Sequence, residues 1–188
     1  MPIPNSKSVD SPLKRRKFFR NAGTLAGAAS LSFPHIASSA PNKSPLKLGL
    51  IGCGGRGTGA ANQALSADKD VSLTSVADVF DGNANGAITN LKKRHPDQVG
   101  APEKFIGVNA YKKVIAESDV VILTTPPGFR PMMLRAAIDA GKHVFCEKPV
   151  AVDATGIRSV IESAKIAKEK ELTLVCGFCW RYHYARRA

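Results

Sequence analysis

Long apolar runs, aromatic side chains, acidic residues and paired cysteines are all scarce in this chain of 188 residues. No stretch offers the roughly 20 consecutive apolar residues of a transmembrane helix, so no helical membrane span is expected once the amino-terminal leader is removed. Four cysteines are too few and too scattered for a disulfide framework: Cys53 falls in a glycine loop, Cys146 at a strand end, and only Cys176-x-x-Cys179 is closely spaced. Without a second ligand pair that spacing makes a poor zinc site, and no metal site is expected. Aromatic residues are only 6% of the chain and do not interleave with basic runs such as Lys92-Lys93-Arg94, so there is no stacking platform for nucleic acid despite 27 basic residues against 15 acidic ones.

Part of that basicity belongs to the amino terminus. Lys14 to Arg20 contain adjacent Arg15 and Arg16, an uncharged stretch runs from Asn21 to Phe33, and small residues from Ala37 to Ala40 suit cleavage. That order is the pattern of a twin-arginine signal peptide over residues 1–40, which implies export to the periplasm. Without it, 148 residues remain with 21 basic and 14 acidic side chains, a net charge of +7 and about one domain's length.

After a short linker, 41–45, strand and helix patterns alternate. Apolar strands are expected at Leu46–Ile51, Val71–Ala77, near Phe105, and at Asp119–Thr124, Lys142–Cys146 and Leu172–Phe178. Phe129, Met132, Met133, Ala136, Ala137 and Ala140 form a helical stripe stopping at Gly141, and Ile157, Val160, Ile161 and Ala164 form another after Asp153, an N-cap candidate. Both stripes read as core. Continuous apolar strands such as Val120–Leu123 imply burial on both faces, hence an α/β doubly wound parallel sheet of the Rossmann type over residues 46–180.

Gly52-Cys53-Gly54-Gly55-Arg56-Gly57 follows the first strand and opens a helix of small residues. Gly52 permits a tight turn, Gly54 and Gly55 let a pyrophosphate approach the backbone, and Gly57 lets helix and strand pack closely. Asp78 ends the second strand, placed to accept both ribose hydroxyls of a dinucleotide. Its charge would repel a 2′-phosphate, so NAD is preferred over NADP; Arg56 is expected along the pyrophosphate or in solvent. A second motif, Glu147-Lys148-Pro149, ends the fifth strand. Strand carboxyl ends are where such a sheet binds ligand. Lys148 can bond a substrate hydroxyl and take its proton, Glu147 can orient or charge-balance that amine, and Pro149 can rigidify the turn through a cis bond.

"VADVFD", "VVILTTPPGFRP", "AGKHVFCEKPVAVD" and "LVCGFCWRYH", in that order after the glycine motif, resemble the Gfo/Idh/MocA oxidoreductase family across most of residues 46–188. The resemblance implies that Lys148 lies beside the nicotinamide and the substrate hydroxyl, and that Thr125 and Pro126 border the cofactor. It implies that Arg181 and His183, in the segment 181–188 where a substrate domain would begin, approach the pocket. Arg130 stands near where many members have a histidine. The implied activity is NAD-dependent hydride transfer on a sugar or polyol, a small-molecule carbohydrate partner, with homo-oligomer formation left open. The alternatives are a redox-neutral glycosidase or epimerase of the same family and a non-catalytic dinucleotide-binding module.

Overall fold

A computed structural model describes residues 44–183; the expected leader, most of the linker and residues 184–188 lie outside the described residues. Six parallel strands form one sheet: β1 Leu46–Ile51, β2 Val71–Asp78, β3 Glu103–Ile106, β4 Val120–Leu123, β5 His143–Cys146 and β6 Leu174–Cys176. Their order is β3-β2-β1-β4-β5-β6, so the winding reverses between β1 and β4. The connecting helices are α1 Gly55–Ala67, α2 Asp81–Arg94, α3 Tyr111–Glu117, α4 Arg130–Asp139 and α5 Ala154–Glu169, and a 3₁₀ turn, Cys179–Tyr182, follows β6. Among the described residues no helix is long and apolar enough to cross a membrane.

The central strands are largely apolar because each face of the sheet carries its own core. Leu48, Leu50, Leu73, Val76 and Ile122 pack against Ala60, Ala61 and Leu65 of α1 and Ala84, Ala87 and Leu91 of α2. Ile51, Ala77, Val121, Leu123 and Val144 point the other way, onto Val114 and Ile115 of α3 and Met133, Leu134, Ala137 and Ile138 of α4. Period-two alternation across a sheet covered on both sides thus buries both faces of its central strands, while the edge strands β3 and β6 stay largely exposed.

Two helix faces differ from expectation. In α4 the buried stripe is Arg130, Met133, Leu134, Ala137 and Ile138, while Phe129 and Met132 are exposed. The true stripe starts one residue later and admits a charged residue, which an apolar template skips. In α5, Asp153 caps as expected, its Oδ1 accepting from Gly156 N at 2.6 Å. Yet Ile157 and Ile161 are 40% and 52% exposed, and the helix buries Ser163 and Ala167 instead. Small residues let α5 lie close on α4, leaving Ile157 and Ile161 outward while Val160 and Ile166 stay packed on the core. The last strand is also shorter than expected: Leu172 N donates to Ala167 O in the helix end, and Phe178 N to Cys176 O in a turn, so neither joins the ladder.

Candidate dinucleotide and substrate site

The glycine turn has the geometry its residue types suggest. Gly52 adopts φ +94°, and a side chain there would press on the Thr124–Thr125 backbone. Gly57 lies so close to Gly52 that a Cβ would overlap the Gly52 carbonyl oxygen. Thr124, at the carboxyl end of β4, donates its hydroxyl to that same oxygen at 2.6 Å, stitching the switch point shut from below. Above it, Gly54 and Gly55 face open space and α1 begins, its first turn free of acidic residues. An anion can reach the backbone N–H groups there, aided by the helix dipole.

Asp78 is fastened to this turn. Its Oδ2 accepts from Cys53 N at 2.7 Å, and its Oδ1 from Phe80 N at 2.9 Å and from Asn83 Nδ2 at 3.3 Å. A cavity of about 330 Å³ opens beside it, walled by Gly54, Asp78, Phe80, Thr125, Pro126 and Phe129. The exposed Phe129, expected in the core, is therefore a wall of this cleft. Lys104, on the neighbouring strand, spends its ammonium on Asp81 at 2.6 Å and Asn85 at 2.8 Å, and that contact lowers the Asp81 pKa.

Glu147 and Lys148 occupy the carboxyl end of β5, and the Lys148–Pro149 bond is cis. Glu147 is almost fully buried, yet its carboxylate does not meet the Lys148 amine. Arg56 takes it instead: Nε donates to Oε1 at 2.7 Å and a terminal nitrogen of the same guanidinium lies 2.5 Å from that oxygen. The other carboxylate oxygen accepts from Lys148 N at 2.8 Å. Arg56, its side chain still 48% exposed, links the start of α1 to the end of β5. Gly177 makes room for this arrangement, since a Cβ there would crowd the Glu147 carboxylate. The Lys148 side chain is exposed, and among the described residues no group bonds its ammonium.

The sequence marks Arg130 only as standing near where many members of the resembled family have a histidine, and gives its side chain no role. Its guanidinium donates through one terminal nitrogen to the carbonyls of Glu147, at 2.7 Å, and Pro149. Arg181 and His183 are not brought to the cleft: both are exposed, Arg181 lies over the Phe178 ring at 5.3 Å, and neither lines the cavity. The four cysteines are free. Burial, then Asp78, pushes the Cys53 thiol up to about 12, and burial pushes Cys146 to about 11, so both stay protonated and unreactive near neutral pH.

A parallel sheet with a glycine turn, a ribose-ready acid and a cleft at its switch point defines a dinucleotide-binding domain. The chain belongs to the Gfo/Idh/MocA oxidoreductase family: residues 46–178 match the model of its NAD-binding Rossmann fold. It is 34% identical over 137 residues to inositol 2-dehydrogenase of Cereibacter sphaeroides, covering 73% of this chain and 37% of that one. Against the Pseudomonas fluorescens inositol 2-dehydrogenase it is 32% identical over 143 residues, covering 76% and 40%. Among solved structures, an NAD-binding oxidoreductase of Klebsiella pneumoniae superposes with TM-score 0.58 at 28% identity, over 76% of this chain and 36% of that one. The scyllo-inositol dehydrogenase of Lactobacillus casei, solved with NAD(H) and scyllo-inositol, shares the fold with TM-score 0.60 at 23% identity, over 76% and 38%. The chain spans about two fifths of the length of these relatives.

Proposed function

We propose that the protein is an NAD-dependent oxidoreductase acting on a polyol or sugar, with Lys148 as the proton-handling residue. The observation that carries this reading is the Lys148 amine, exposed and unbonded among the described residues, on a residue whose backbone N–H is tied through Glu147 and Arg56 to the glycine turn. The site fits the dinucleotide. Gly54 and Gly55 present bare backbone, Asp78 is held ready for ribose hydroxyls, and the Thr125–Pro126 segment walls the same cleft. When bound, NAD supplies the hydride acceptor. Lys148 would receive the proton of a substrate hydroxyl as the adjacent C–H bond passed its hydride to that acceptor, leaving a carbonyl. Buried Glu147 stays paired with Arg56 throughout and orients the lysine backbone.

Relatives named inositol 2-dehydrogenase support a cyclic polyol as the first substrate class to try. The protein at its natural full length, mixed with NAD and a panel of inositols, aldoses and glycosides, should develop reduced-nicotinamide absorbance with a polyol or sugar. Bound NAD with no response to any of them would instead favour a non-catalytic binding module.

Export is a second element of the proposal, supported by Arg15, Arg16 and the uncharged stretch after them. Folded passage would carry NAD out with the protein, and a cofactor that cannot exchange must regain its oxidation state during each cycle. Redox-neutral glycoside cleavage or epimerisation is then the competing chemistry, and product formed without net NADH would identify it. A folded reporter fused to residues 1–40 should reach the periplasm, and changing Arg15 and Arg16 together to Lys should strand it in the cytoplasm. Export of the double variant at the original level would remove this element.

A further inference from the structure

The placement of Arg130 is energetically expensive. Its residue is only 5% exposed, and no carboxylate pairs with it among the described residues. It stands at the first position of α4, where the helix dipole opposes a cation. Its Nε has no hydrogen-bond partner. A buried guanidinium normally has an anionic partner, because desolvating the charge costs more than neutral acceptors return.

What this arrangement obtains is specific. The one terminal nitrogen holds the carbonyl of Glu147, just before Lys148, and the carbonyl of Pro149, just after it. From the opposite side, the Lys148 N–H is held by the Glu147 carboxylate, itself fixed by Arg56. The lysine's own N–H and the carbonyls of the residues on either side of it are therefore tethered, while its side chain has no bond among the described residues. We propose that Arg130 is a positioning residue that sets where the Lys148 amine stands, working through the two flanking carbonyls and touching neither substrate nor cofactor.

The inference rests on the oxidoreductase reading of Lys148, and the experiment separates the two. In the protein at its natural full length with NAD bound, Arg130→Met should lower kcat on the order of a hundredfold, the usual penalty for a reacting group displaced by about 1 Å. KM for the polyol, the NAD dissociation constant and Tm should change little. Arg130→Lys, which keeps a donor able to reach a carbonyl, should regain much of the lost kcat. Full kcat in Arg130→Met, alongside an inactive Lys148→Met control, overturns the positioning role and leaves the lysine reading intact. Full turnover by the Lys148→Met control overturns both. If Arg130→Met does not accumulate as folded protein, Arg130→Lys and Arg130→Gln decide. A graded fall in kcat with NAD affinity unchanged supports the proposal. Parallel loss of NAD affinity, Tm and kcat, or failure of all three variants to fold, assigns Arg130 to stability alone and overturns it.

Discussion

Lys148→Met is expected to lower turnover by about 10²–10⁴-fold, the contribution of a positioned general base, while the protein keeps its dinucleotide. Methionine matches the length of the lysine stem and keeps the backbone N–H that Glu147 accepts. The carbonyls held by Arg130 belong to the neighbouring residues and are untouched. The substitution therefore removes one thing, an amine that nothing in the described structure bonds. Since the glycine turn and Asp78 make no contact with that amine, NAD titrated calorimetrically should bind the variant as it binds the parent. Steady-state rates near those of the parent would show that the proton leaves by another route.

The fold was legible because the strands are short, continuous and apolar, and because a buried parallel sheet leaves few other ways to read Val120–Leu123. The glycine motif and Asp78 were legible for a local reason: their roles depend on backbone shape at fixed offsets from a strand end, and the contact from Cys53 N to Asp78 is the direct consequence. The Arg56–Glu147 pair was not, since it joins residues 91 positions apart and only the switch-point topology brings them together. Arg130 was obscured differently. An arginine inside a helical stripe looks like solvent-facing charge, and only the carbonyls of Glu147 and Pro149, arriving from another strand, explain its burial. In α5 the expected stripe was only partly right: Val160 packs on the core, whereas Ile157 and Ile161 face outward.

Asp78→Asn is expected to weaken NAD binding roughly ten- to a hundredfold and to reduce the preference for NAD over NADP. The carboxylate has two duties, and asparagine separates them. Its side-chain oxygen can still accept from Cys53 N, which anchors the glycine turn, so the pyrophosphate cradle should persist. What is lost is the negative charge and, since the amide nitrogen cannot accept, the bonds from Phe80 N and Asn83 Nδ2. Hydrogen bonds between a ribose diol and a charged acceptor contribute about 1.5–3 kcal/mol each, and much of that should vanish for NAD. NADP gains on the other side, because a 2′-phosphate no longer faces an anion. The gain should be partial: Lys104 remains committed to Asp81 and Asn85, so no freed cation replaces the lost repulsion with attraction. Asp78→Ala, by contrast, also removes the acceptor for Cys53 N, and should weaken both dinucleotides by loosening the turn. Calorimetry with NAD and NADP on the three proteins distinguishes the two duties. If asparagine leaves the ratio of the two affinities unchanged, Asp78 anchors the turn without choosing the cofactor.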